Sequence, residues 1–380
     1  MSDASLPLAG IKAISLASLG PGPYAAMLLA DLGCAVTIVD RTGPMMTSLP
    51  QDRDPRRRGQ QSIALDLKSE AGRAILEDLI RDTDILMEGM RPGVAEKLGL
   101  SPDHCLGLNP RLIYARITGW GQEGPMAQRA GHDINYIALS GALLAMGDAD
   151  RPPPVPLNLL GDYAGGGMFV ALGILAALQQ VNRTGRGTVI DGAIVDGVAS
   201  LAATTMGMLA TGRWGARAEN VLDGGAPYYR SYATRDGGYM AVGAIEPQFY
   251  AELLGKLGLT VGDWPQQDRA RWPALTQELA RLFATEDRGV WEQRFAQSDA
   301  CVTPVLSFAE ALDHPQHKAR GTYIDIDGVR QPAPGPRLGQ SRGASPTPPP
   351  GIGAETDAIL RAMGKSPEEI ANLKNRGIVA

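Results

Sequence analysis

Ile11-Lys12-Ala13-Ile14-Ser15-Leu16, then Gly20-Pro21-Gly22-Pro23, an apolar run over 24–32, Gly33, and Ala35-Val36-Thr37-Ile38-Val39 ending in Asp40-Arg41 carry the signal that decides the fold. Two short apolar runs flanking a longer one, with glycine and proline punctuating the joins, predict a strand, a helix and a second strand. The same alternation continues outward. A helix is expected over 70–81, a strand over 85–88 and another over 112–118. Strands alternating with helices predict an α/β fold with a parallel sheet covered by helices on both faces.

The glycine turn is not a dinucleotide fingerprint, because prolines occupy two of its positions and the G-x-G-x-x-G spacing is absent. No nicotinamide cofactor is inferred. Helices rich in small residues are expected over 134–146 and 162–181. From Gly224-Gly225-Ala226-Pro227 the pattern changes to a tyrosine-rich stretch and an alternating strand over 239–243. The expected organisation is a large Rossmann-like domain over 1–195, a connecting helical segment over 196–224, and a small α+β domain over 225–327. A proline-rich return with a C-terminal helix near 355–363 completes it over 328–380.

With 380 residues the chain exceeds the size at which single cores stop growing, so two domains are expected. A composition of 44% apolar and 20% charged residues is that of an ordinary globular protein. A net charge of −5 argues against nucleic acid as a partner, which needs a broad basic surface. No apolar run is read as long enough to span a membrane. Met1-Ser2-Asp3-Ala4-Ser5 lacks the pattern of a signal peptide, and the final residues are no peroxisomal tripeptide. Cys34, Cys105 and Cys301, odd in number and widely spaced, suit a reducing, cytoplasmic setting. Cys301 could be a nucleophile on sequence grounds, but a buried thiol is the expected outcome. Four histidines without paired spacing predict no metal site.

Taken singly, the candidate residues have two readings each. His132, in Gly131-His132-Asp133, is either a base or a satisfied loop side chain with Asp133 as a helix cap. Asp162 is either a functional carboxylate or a cap, although Gly165-Gly166-Gly167 implies that something large packs against that helix end. Glu246, before Pro247, is a common first-turn residue. Arg56-Arg57-Arg58 reads as a solvated loop or an anion site. Arg41 stands at a carboxyl strand end, where ligands of open α/β sheets collect.

Around these residues the chain resembles the family III CoA transferases, and within them the α-methylacyl-CoA racemase branch. The resemblance rests on Gly20-Pro21-Gly22-Pro23, Asp66-Leu67-Lys68-Ser69, Arg91-Pro92-Gly93-Val94, Thr118-Gly119-Trp120-Gly121-Gln122, Gly131-His132-Asp133-Ile134-Asn135-Tyr136, Asn158-Leu159-Leu160-Gly161-Asp162 and Gly243-Ala244-Ile245-Glu246-Pro247-Gln248. It implies two chains threaded through each other as an interlocked homodimer, with the active site between the large domain of one subunit and the small domain of the other. It also implies His132 as a base, Asp162 as an acid/base and Glu246 as their support. Acyl-CoA contacts are implied at Arg41, Leu65, Asp66, Leu67, Lys68, Gly89, Met90, Arg91, Lys97, Gly131, Asn135 and Tyr136. No separate cofactor is implied, since CoA is part of the substrate.

These groups suit removal and return of an α-proton. The enolate oxygen needs fixed donors, for which the Asp133 amide is the candidate. Inversion needs one base on each face of the enolate, and burial would raise an aspartate to the range where it can act as an acid. Met146, Met168, Met206 and Met208 are read either as an adaptable acyl surface or as ordinary core. A transferase would instead use Asp162 as a nucleophile and would have no need of His132. A CoA-binding protein without activity is the third reading.

Overall fold

The computed structural model describes residues 6–43, 49–339 and 345–380. The N-terminal pentapeptide and residues 340–344 of the proline-rich stretch lie outside the described residues. Six parallel strands form one sheet: β1 (Lys12–Leu16), β2 (Ala35–Asp40), β3 (Gln61–Ala64), β4 (Ile85–Glu88), β5 (Ile113–Thr118) and β6 (Thr188–Ala193). Their order is β3-β2-β1-β4-β5-β6, so the winding reverses between β1 and β4. That reversal opens a crevice at the carboxyl ends of the two strands, the usual ligand position in such sheets.

The Gly-Pro turn opens the first helix rather than preceding it. The helix runs Pro21–Asp31 with Gly20 at its cap at a positive φ of 66°. Proline is tolerated there because the first helical N–H groups have no intrahelical partner to lose. Helix Glu70–Arg81 falls where its pattern placed it, and Ser69 Oγ accepts the Gly72 N–H at 3.0 Å as its cap.

Two expectations need correcting. The helix expected over 134–146 covers only Asp133–Leu139. Gly141, at φ 86°, takes the chain out of helical conformation just beyond its end. The second correction concerns 162–181. A π-helical run, Leu159–Met168, leads into an α-helix, Phe169–Thr184. Together they make 26 residues holding an 18-residue window of mean hydropathy 1.5, long and apolar enough by length and composition to cross a membrane. Here Val170, Ile174, Ala177 and Val181 instead pack on Ile85, Ile113 and Ala115 of the sheet.

Gly165, Gly166 and Gly167 of the π-helical run allow close backbone approach. A Cβ at Gly166 would fall 2.8 Å from Pro21 Cβ, one at Gly167 2.7 Å from the Tyr24 ring, and one at Gly165 2.6 Å from Val198. The bulk read from the sequence is therefore two helices, Pro21–Asp31 and Ile194–Leu201.

The arginine run is not a solvated loop. Arg57 Nη2 lies 2.6 Å from Asp40 Oδ2 and Arg58 Nη2 2.6 Å from Asp31 Oδ2, all four side chains being buried. Arg58 also donates to Gln331 Oε1 and the Pro332 carbonyl, and Arg57 to the Pro350 carbonyl. Both arginines thus tie the C-terminal return to the sheet's first half. Helix Thr356–Ala362 follows, and its Leu360 joins Ile63 and Leu65 in the core.

The chain divides into two compact units, 1–140 with 156–201 and 318–380, and 141–155 with 202–317. Residues 141–155 thus belong with the smaller unit and 318–327 with the larger, unlike the division expected from sequence. The smaller unit is built on an antiparallel sheet of β7 (Tyr229–Ala233), β8 (Tyr239–Gly243) and β9 (Val302–Pro304). Its core is aromatic: Phe283 stacks on Tyr232 at 5.3 Å between ring centroids and tilts against Trp291 at 5.0 Å.

Candidate active site

In the larger unit the candidate residues collect along one edge. Gly20 follows β1, Arg41 follows β2, Leu65 to Lys68 follow β3, Gly89 to Arg91 follow β4, and the chain leading to His132 follows β5. All are carboxyl ends. Across the winding reversal, a Cβ at Gly89 would sit 3.0 Å from Ser18 Cβ, so the loops after β4 and β1 touch there.

Among the expected CoA contacts, Arg41 and Lys68 are exposed. The Leu65 side chain is core, and Asp66 turns the chain by accepting the Lys68 N–H through Oδ1 at 3.0 Å.

His132 caps helix Asp133–Leu139 in extended conformation and is exposed. Its N–H donates to Asn135 Oδ1 at 3.0 Å. The helix therefore starts one residue earlier than expected, with His132 rather than Asp133 in the cap position. Tyr136 O–H donates to the Gly131 carbonyl, and the Tyr136 ring meets Trp120 edge-on at 4.7 Å. A Cβ at Gly119 would lie 2.0 Å from that ring, so glycine is required beneath it. These contacts hold the turn that carries His132.

Asp133 is buried and turns toward the second carboxylate. Its Oδ2 accepts the Asp162 backbone N–H at 2.6 Å, while its Oδ1 is buried with no hydrogen-bond partner among the described residues. A Cβ at Gly161 would lie 2.5 Å from Asp133 Oδ2, which explains that glycine.

Asp162 stands inside the π-helical run, not at its start, so it is not a helix cap. Its carboxyl presses on Gly20, where an added Cβ would be 2.8 Å from Oδ2. Asn158 Nδ2 donates to the same oxygen at 3.3 Å. Burial raises the Asp162 carboxyl above its ordinary value, and the neighbouring Asp133 raises it further. Asn158, His132 and Arg56 pull the other way without prevailing. The edge thus brings together an exposed imidazole and a carboxyl biased toward holding a proton.

A family model described as CoA-transferase family III matches residues 8–356. The chain belongs to that family. Within family III, the alpha-methylacyl-CoA racemases of Mus musculus and Homo sapiens are each 45% identical to it over 379 residues. Those alignments cover 98% of this chain and 97% and 98% of the mouse and human proteins. A CaiB/BaiF family protein from Brucella suis matches the structure with a TM-score of 0.80 at 27% identity, over 94% of this chain and 99% of that one.

Three residues near His132 or Asp162 have no part in the chemistry read from the sequence. Asn158 lies four residues before Asp162, a helical spacing that could have flagged it. Arg56, paired to Asp54 at 2.6 Å, reads in sequence only as part of its run, a solvated loop or an anion site. Trp120 enters only within the Thr118 to Gln122 match, and its buried indole N–H has no acceptor among the described residues.

In the smaller unit, Glu246 is exposed at the cap of helix Pro247–Lys256. Cys301 is exposed, contrary to the expectation of a buried thiol, and has φ 52°. Partial burial, with Glu246, Asp299 and Glu252 nearby, raises its thiol above the ordinary value, which disfavours a thiolate nucleophile. Of the four methionines, Met168 and Met206 are about half exposed and none is core.

Proposed function

We propose that this family III chain interconverts (2R)- and (2S)-2-methylacyl-CoA thioesters. The observation that carries the reading is the pairing, on one carboxyl edge of the sheet, of His132 with an Asp162 carboxyl raised by burial. The 45% identity to the two racemases supports it.

One of the two groups takes the α-proton from its face of the substrate and leaves an enolate. The other delivers a proton to the opposite face. The base that gained a proton returns it to solvent, so no net group is transferred. An Asp162 biased toward its protonated form is suited to the donor role, and the His132 imidazole to either role near neutrality. The Asp133 N–H, at the first position of its helix, lacks an intrahelical partner and is the proposed donor to the enolate oxygen. Proton transfer by side chains calls for no metal or redox cofactor.

The same reading places the reaction in a homodimer, with Glu246 supplied by the second copy. Leu139, Met168, Phe169 and Leu172 are exposed in the larger unit, and helix Ala203–Ala210 of the smaller unit buries none of its residues. Large exposed apolar surface of this kind fits cover by a second copy.

Incubating purified protein with one enantiomer of a 2-methylacyl-CoA in D₂O, with no acceptor acid present, tests the reading. Deuterium should enter the α-position and the other enantiomer should appear. Turnover only when an acceptor carboxylate is added would instead favour a transferase with Asp162 as nucleophile.

A further inference from the structure

Two buried charges and an exposed carboxylate linked to them sit beside the crevice without any part in the chemistry above. Glu88, the last residue of β4, is 1% exposed, and Arg116 in β5 is 7% exposed. Glu88 divides its carboxylate between two duties. Its Oε2 accepts the Met90 N–H at 2.6 Å, and its Oε1 accepts Arg116 Nε at 3.0 Å. The other end of the same guanidinium reaches Glu96, with Nη1 2.9 Å from Oε1 and Nη2 3.3 Å from Oε2. Glu96 belongs to the short helix Val94–Lys97, which starts after a left-handed Gly93 at φ 84°.

Arg116 therefore joins two pieces of chain, the Gly89 to Arg91 turn and the segment ending in Lys97. Both are proposed to contact CoA. Stability alone does not call for this arrangement, since apolar side chains of similar volume often replace buried ion groups without loss. The arrangement also puts two carboxylates next to a site for an anionic ligand, which opposes binding unless they serve its geometry.

We propose that Glu88, Arg116 and Glu96 form a positioning clamp that holds the Gly89 to Arg91 turn and Lys97 at one fixed spacing for CoA recognition. This rests on the CoA-thioester reading of the edge. Glu88 and Glu96 touch no substrate and act through Met90, Arg91 and Lys97.

Calorimetric titration of free CoA into the full-length protein and its Glu88→Gln, Glu96→Gln and Arg91→Ala variants tests the clamp. Glu96 is 40% exposed in its side chain, so Glu96→Gln keeps the test available if Glu88→Gln fails to fold. Each glutamine variant should weaken CoA binding, Glu88→Gln by about tenfold as expected for a lost charged hydrogen bond. The defect should appear in KM for the thioester rather than in kcat. Combined with Arg91→Ala, either change should cost less than the sum of the two, because both act through one turn. A merely electrostatic role predicts the opposite sign, with loss of a carboxylate tightening an anionic ligand. Unchanged or tighter binding in the glutamine variants, or additive losses, would overturn the clamp while a weakened Arg91→Ala left the CoA edge standing. If Arg91→Ala binds CoA normally, the edge assignment falls and the clamp with it.

Discussion

Asp133 Oδ2 accepts the backbone N–H of Asp162 at 2.6 Å, so one buried carboxylate fixes where the other sits. Asp133 is adjacent to His132, and the same residue therefore links the positions of both proposed bases. Asp133→Ala should leave the Asp162 N–H without its acceptor and free the π-helical backbone to shift. A displacement of about 1 Å costs about 100-fold in rate. The fall should appear in kcat with each enantiomer, together with about 1–3 kcal/mol of stability from the unpaired buried group. Unchanged kcat in a folded Asp133→Ala protein would show that this hydrogen bond does not set the geometry.

The raised Asp162 carboxyl links activity to stability through pH. Its folded-state value lies above the ordinary 3.8, so its contribution to stability is fully present below about that pH. That contribution is lost as pH rises through the folded value, where burial penalises the ionised form. Asp162→Asn, which cannot ionise, should therefore have a higher Tm than the parent at neutral pH, with the gap closing as pH falls toward 4. A gap that widens on acidification would contradict the burial argument. The gain would accompany loss of racemisation, as expected where function keeps a strained group in place.

Arg58 and Asp31 form an ion pair that is almost fully buried, and Arg58 also holds Gln331 and Pro332 of the C-terminal return. Burial still raises Asp31 despite its partner. Arg58→Ala leaves that carboxylate alone and should cost about 3–5 kcal/mol, read by urea unfolding. Arg58→Met combined with Asp31→Leu should recover much of the loss. A double variant as unstable as the single one would show that the pair contributes through more than mutual neutralisation.

How much of this was legible in the sequence depends on whether the determinants are local. Helix Glu70–Arg81 announced itself through Ser69 and a clear apolar period, and β4 matched its apolar run residue for residue. β3 and β6 passed unnoticed, β3 because Gln61 and Ser62 interrupt its apolar run and β6 because half of its residues face outward or carry polar groups. The arginine run misled because charge density reads as solvation, whereas Asp31 and Asp40 lie 27 and 17 residues from their partners. The place of Arg41 at a carboxyl strand end was legible in the strand alternation, whereas Arg91, His132 and Asp162 entered through the resemblance. The Asp133 to Asp162 bond, the Asn158 contact and the exposure of Cys301 depend on tertiary packing that no local pattern records.

Independent, opposed bases are the central claim, and α-proton exchange in D₂O followed by NMR tests it on each pure enantiomer with the His132→Ala and Asp162→Ala proteins. The family resemblance implies that His132 would serve the (S)-thioester and Asp162 the (R)-thioester. Removing a general base costs about 10²–10⁴-fold, well within what the measurement resolves. The account predicts that neither variant racemises, that His132→Ala loses exchange from the (S)-thioester while keeping some from the (R)-thioester, and that Asp162→Ala does the reverse. Equal loss of exchange from both enantiomers in both variants would contradict independent bases, and undiminished racemisation in His132→Ala would remove the histidine from the mechanism.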